Sequence, residues 1–196
     1  MDRHRSTRSI RENTHSVELL GAETAVMSIN VLVASSSRHG ATDELARRLA
    51  ATMSEQGLAV EVRRMADVDT VFPYHALVLG SAVYMGRWTP EARAFVEEHE
   101  GGIVTRPTWL FSSGPIGDFP AGEPLDVGEL LRTTRARGHH LFGGRLVTSS
   151  LGLRERAFAR LLHVPAGDFR EWAAAAAWAT AIARTLANEQ GVASQA

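Results

Sequence analysis

The segment Ala34–Ala50, ASSSRHGATDELARRLA, sets three serines, an arginine, a histidine, a glycine and a threonine between an apolar run and an amphipathic one. Hydroxyls, a guanidinium and backbone loosened by glycine are anion-binding groups. A helix that starts just after them adds unpaired N–H groups and partial positive charge. A phosphate suits such a junction: backbone donors meet it, with the hydroxyls of Ser36, Ser37 and Thr42 and with Arg38 or His39 in reach, and Gly40 permits close approach. The plainer reading is a serine-rich turn before a capped helix, with no ligand. Two common nucleotide loops are absent: the chain has neither G-x-x-x-x-G-K-[ST] nor G-x-G-x-x-G.

A strand must deliver this loop and a helix must leave it. Ser28–Ser35 (SINVLVAS) is a short β-branched apolar run, the pattern of a strand covered on both faces. The helix that follows places Leu45, Leu49 and Met53 at helical spacing, with Asp43 and Glu44 in its first turn and Gly57 as its stop. Further strands are predicted at Leu58–Arg64, His75–Ala82, Pro107–Gly114 and His139–Val147. MADVDTVFPY, between the second and third, has room for one turn. Thr89 as N-cap and Pro90 at the first helical position begin another helix. A further helix is expected over 126–138. The last, Phe169 to about Asn188, carries Trp172, Ala175, Ala179, Ile182 and Leu186 on one face.

Buried strands alternating with helices require a parallel sheet with right-handed crossovers and helices on both faces, and 2-1-3-4-5 is the common five-stranded order. The domain is expected over 28–189, between a tail at 1–27 and another at 190–196. Before the last helix, Leu153, Ala157 and Leu161 with Phe158 and Leu162 form an apolar stripe, and Arg154, Arg156 and Arg160 lie elsewhere on the wheel. This predicts a short basic insertion helix within 151–164, a lid or a peripheral membrane contact.

The chain has 196 residues, 44% hydrophobic and 22% charged, with a formal net charge of −1. This is the range of one globular domain and offers no general attraction to nucleic acid. Cysteine is absent, which excludes thiol catalysis and cysteine-held metal clusters. His139 and His140 have no matching carboxylate spacing, so no metal site is expected. No stretch approaches the ~18–20 apolar residues of a membrane span, and a cytoplasmic location is expected.

In an open parallel sheet the ligand lies beyond the carboxyl ends of the strands, where strand order reverses. The loops Gly80–Trp88 and Ser112–Phe119 share that rim with the phosphate loop. The first offers Tyr84, Met85 and Trp88 as flat or polarizable surfaces, the second a glycine-loosened backbone. A phosphate cradle beside such loops describes a mononucleotide with a large planar head, flavin mononucleotide (FMN). A receiver domain has the same strand order, but it needs an aspartate ending strand three and acidic residues after strand one, where LGSA and ASSS stand.

At these residues the chain resembles the flavodoxin superfamily, whose phosphate loop has the form S-x-T-G-N-T. Ser37–Thr42 match it, with Arg38, His39 and Ala41 departing. SSRHGAT is more similar still to the S-T-R-x-G-x-T of menaquinone-dependent protoporphyrinogen dehydrogenases, and the late insertion before GDFREW and AWATAIA resembles theirs. The likeness runs from Ile29 to about Leu186. It implies a flavodoxin-like three-layer α/β sandwich and phosphate binding by Ser37, Arg38, His39, Gly40, Ala41 and Thr42. It implies ring contacts from Ser81, Ala82, Val83, Tyr84, Met85 and Gly86, and from Ser113, Gly114, Pro115 and Gly117. His-Gly-Ala in place of Thr-Gly-Asn removes a side-chain donor, so weaker FMN binding is expected. The function implied is an FMN-dependent oxidoreductase passing electrons from a small reduced substrate such as a porphyrinogen to a quinone, with no residue marked as acid or base. Two alternatives stand beside it: a flavodoxin shuttling electrons to a redox partner protein, and a binding module without flavin. The first is disfavoured because such carriers are strongly acidic.

Overall fold

The structure is a computed structural model that describes residues 29–114, 124–146 and 167–193. The expected helix within 151–164, the tail at 1–27, and Pro115, Gly117 and Asp118 lie outside the described residues.

The central strand β1 (Asn30–Ser36) holds Val31, Leu32, Val33 and Ala34 fully buried, because helices cover both of its faces. On one side it pairs in parallel with β2 (Ala59–Arg64), and on the other with β3 (Ala76–Tyr84). A two-residue strand, β4 (Arg87–Trp88), folds back antiparallel on Val83 and Tyr84. Its turn, Met85–Gly86, takes φ of 49° and 75°, the left-handed pair whose twist matches a two-residue hairpin. Beyond β3 lie β5 (Thr108–Ser113) and β6 (His139–Phe142), both parallel. The order β2-β1-β3-β5-β6 is the expected 2-1-3-4-5 once β4 is set aside. Strand order therefore reverses between β1 and β3, as anticipated.

Helix α1 (Ala41–Glu55) buries Leu45, Leu49 and Met53 on the face it shares with the last helix, α4 (Trp172–Ala193). Helices α2 (Pro90–Ile103) and α3 (Val127–Thr134) cover the opposite face. Thr89 caps α2 as expected, its Oγ1 accepting from the Ala92 amide at 3.2 Å. The piece between β2 and β3 contributes one 3₁₀ turn, Met65–Asp67.

Four boundaries differ most from the sequence reading. Helix α3 ends at Thr134, since Arg135 turns left-handed at φ 52° before Gly138 is reached. The fifth main strand stops at Phe142, five residues short of Val147. Gly143 passes so close to the Phe169 carbonyl that a Cβ there would lie 2.0 Å from its oxygen, and the chain turns out of the sheet. Arg145–Leu146 (β7) then pairs antiparallel with Gly167–Asp168 (β8). Phe169 is tied to this hairpin by a hydrogen bond that its N–H donates to Gly144 O at 3.0 Å, so α4 starts at Trp172 rather than Phe169. At its far end α4 runs through residues 190–193, which the sequence reading assigned to a tail. Of its expected face, Ala175, Ala179, Ile182 and Leu186 are buried, whereas Trp172 lies outside the core.

Gly80, at the middle of β3, faces Phe111 across the pair, and a Cβ there would sit 2.0 Å from the ring. Gly80→Ala should lower stability by about 1–3 kcal/mol in urea unfolding, and Phe111→Leu in the same chain should recover part of the loss. A neutral Gly80→Ala would refute this packing.

Candidate functional site

Gly40 is the N-cap of α1, at φ 78°, where only glycine is unstrained. It has no side chain to cap the helix, and the first helical bond is Glu44 N to Gly40 O at 3.0 Å. The amides of Ala41, Thr42 and Asp43 thus have no acceptor within the helix. Thr89 at the start of α2 shows the other solution, a hydroxyl that closes the end. The phosphate loop leaves its end open to an outside acceptor.

The loop is braced from both faces of the sheet. Ser35 Oγ donates to Asp43 Oδ1 at 2.8 Å, which ties the strand end to the first turn. Ser36 Oγ lies 2.7 Å from Thr89 Oγ1, joining this loop to the cap of α2. Ser81, fully buried on β3, accepts from the Thr89 amide at 3.0 Å and donates to Ala82 O at 2.8 Å. Thr42 is buried, Ser37, His39, Gly40 and Ala41 are half-buried, and Arg38 is exposed. Ser36 ends β1, Ser37–Gly40 form the connecting loop, and Ala41 and Thr42 open α1.

A second brace was missed in the sequence. The Arg170 side chain, 3% exposed, forks onto Asp168 through Nε to Oδ1 at 2.8 Å and Nη2 to Oδ2 at 2.6 Å. Its Nη1 donates to Glu44 Oε2 at 2.8 Å and to Ala41 O at 3.3 Å. Arg145 holds the other Glu44 oxygen at 2.9 Å. Glu44, Arg145, Asp168 and Arg170 thus lock the β7–β8 hairpin to the first turn of α1. They also neutralise a carboxylate beside the open amides. The Arg170 hydrogen bond holds the Glu44 carboxyl below its ordinary value, and does the same for Asp168. The signal was present as GDFREW, but nothing local to it points to a partner 126 positions away.

The loop after β3 meets the loop after β1 directly. The Arg38 guanidinium lies over the Tyr84 ring at 4.9 Å, a cation–π contact. Val83, Tyr84 and Gly86 are half-buried, and Met85 is 85% exposed at the turn tip. Gly114, at φ 120°, runs beside Val83: a Cβ there would lie 3.6 Å from Val83 O. Ser81, Ala82 and Ser113 are buried in the strand ends behind this rim. Trp88 is not a ring surface. It is 1% exposed, its Nε1 donates to Ser112 Oγ at 2.8 Å and its amide to Asp126 Oδ2 at 3.0 Å, so it anchors the hairpin in the core. Leu125, 76% exposed, donates its amide to Gly86 O at 2.7 Å and stands beside Met85 as a second apolar rim residue.

Among the described residues no group of three or more His, Cys, Asp or Glu is placed to hold a metal ion, and no helix is long and apolar enough to cross a membrane. An uncapped helix start at the switch point, with a guanidinium and the hairpin after β3 beside it, places the molecule among doubly wound parallel α/β domains. A flavodoxin-domain family profile matches residues 32–171, and the chain belongs to that family. No curated protein matches the chain. Among solved structures it is similar to the rubredoxin oxygen:oxidoreductase of the anaerobe Desulfovibrio gigas, with TM-score 0.57, 14% identity, 81% of this chain covered and 36% of that one. It therefore spans about a third of that protein's length. A flavodoxin from the domain Archaea aligns with TM-score 0.50 and 16% identity over 69% of this chain and 99% of its own. At these identities the likeness establishes the fold.

The lowered carboxyls set a pH dependence. Their share of stability is complete above the ordinary values of 4.5 and 3.8 and fades as pH falls through the lower folded values. Arg170→Ala should therefore cost most near neutral pH, and its penalty should shrink between about pH 5 and pH 3 in denaturant titrations. A penalty that is the same at every pH would show that the ion pairs contribute nothing.

Proposed function

We propose that this chain holds FMN at the open start of α1 and works as an oxidoreductase, passing electrons from a reduced organic substrate of the porphyrinogen kind to a quinone. The observation that carries the reading is the helix left uncapped at Gly40, with Arg38 reaching from the same loop onto Tyr84 in the neighbouring one. Ser37, Arg38, Gly40 and the amides of residues 41–43 would take the phosphate, and Val83–Gly86 with Gly114 would border the ring. Bound there, the flavin supplies hydride and electron transfer; the protein supplies orientation and electrostatics.

Family membership supports a flavin-binding redox role. The resemblance of SSRHGAT and of the late insertion to protoporphyrinogen dehydrogenases supports the substrate and the acceptor. Met85 and Leu125, apolar and exposed beside the rim, suit an apolar planar reactant better than a charged docking partner. A net charge of −1 lacks the field that steers acidic carriers onto basic reductases.

The test is anaerobic. Flavin-loaded protein should bleach when mixed with a porphyrinogen and regain its absorbance when menaquinone is added. Turnover that appears only alongside a reductase protein would favour the carrier and contradict the proposal. Leu125→Glu should raise the KM for menaquinone roughly tenfold with kcat little changed, because it sets a charge on the apolar rim.

A further inference from the structure

A cavity of about 240 Å³ opens on the side of the phosphate loop that faces β2, away from the ring loops. Its walls are Ser35–Arg38, Arg64–Ala66 and Glu91. It lies over the carboxyl ends of β1 and β2, where Ser35 and Arg64 are register partners. It is smaller than the roughly 300–1,000 Å³ of cavities that enclose a whole drug-sized ligand, so it suits part of a larger molecule.

Its charged side chains are two arginines, Arg38 and Arg64, and one glutamate, Glu91. The Arg64 guanidinium has no hydrogen bond or ion pair among the described residues, while Arg63 beside it is paired with Glu61. Arg38, which lies over Tyr84 and borders the FMN cradle as well, makes the second cationic wall and stands between the two sites. Ser36 adds a hydroxyl. Thr89 Oγ1 already accepts from the Ala92 amide, so Thr89 can donate to Ser36 Oγ, and the Ser36 proton then serves an acceptor outside the sheet. Two forked guanidiniums and a hydroxyl match phosphate oxygens. Glu91 would repel a bare anion but can accept from a sugar hydroxyl next to it. Phosphate and ribose together describe a nucleotide.

We propose that this cavity is a second nucleotide-phosphate subsite, with Arg64 as its specificity-determining residue, adjoining the FMN phosphate cradle. The inference rests on the flavin reading above for its neighbour, with which it shares Arg38, while Arg64 belongs to the subsite alone. Two sources carry the required phosphate and ribose. One is the adenylate half of FAD, reaching back from the cradle; the other is a separate nucleotide, NADPH, bound through its 2′-phosphate.

The experiment measures binding, not turnover. Titrations follow flavin fluorescence for FMN and FAD, and calorimetry for NADPH and NADH, with the parent protein, Arg64→Ala and the control Arg63→Ala. Arg64 is an exposed edge-strand residue, so its truncation should leave the melting temperature in place. If the subsite takes FAD, FAD binds more tightly than FMN and Arg64→Ala removes that advantage, a loss of roughly tenfold or more. If it takes NADPH, the parent prefers NADPH over NADH by a similar factor, which Arg64→Ala abolishes. In both cases Arg63→Ala changes nothing and FMN affinity is unaffected by Arg64→Ala. Equal binding within each pair, or losses matched by Arg63→Ala, would overturn the subsite. Failure of FMN itself to bind would instead contradict the proposed function, and the NADPH comparison would still decide the subsite.

Discussion

A helix that begins at Gly40 without a side chain to close it is the constraint around which the rest of this molecule is arranged. Unpaired amides at a helix start cost free energy unless water or a ligand accepts from them. The neighbouring groups do not close that end; they hold it in place. Ser35 grips Asp43, Ser36 reaches the cap of α2, and Arg170 with Arg145 pins Glu44. Acidic residues in a first turn favour the helix but compete with an anion for the same dipole. Pairing Glu44 with two guanidiniums keeps the first effect and removes much of the second.

The sheet explains why this helix start matters. At the switch point between β1 and β3 the strand order reverses, and the loops leaving neighbouring strands part toward opposite faces of the sheet. Buried strand ends at Ser81, Ala82 and Ser113 form the floor, and the left-handed turn at Met85–Gly86 raises a rim above it. The hairpin is rigid because Trp88 is locked into the core from Ser112 and Asp126. Rim and cradle are joined by Arg38 over Tyr84, so one side chain belongs to both halves of the site.

Much of this was legible in the chain itself. β1, β3 and β5 are apolar runs whose neighbours leave them no choice but burial, and α1 and α2 announce themselves by periodicity, by Gly57 and by the Thr89–Pro90 cap. The loop Ser36–Thr42 could be placed because the junction of β1 and α1 is set by local sequence. What could not be read depends on contacts remote in sequence. Gly80 looked like an ordinary strand residue until Phe111 was seen over it, and Gly143 like a strand interior until Phe169 crossed it. Trp88 looked like a ring platform because exposure is not written in residue type. The charges that converge from Glu44, Arg145, Asp168 and Arg170 span more than a hundred residues, and no spacing rule joins them.

If the open helix start is what selects the ligand, the phosphate must carry most of the affinity. Titrating the purified protein with FMN and, separately, with riboflavin while following flavin fluorescence tests this directly. The account predicts that FMN binds at least about a hundredfold more tightly, since charge-assisted bonds to several amides and a guanidinium contribute roughly 1.5–3 kcal/mol each. Equal affinity for the two, or no binding of either, would contradict it.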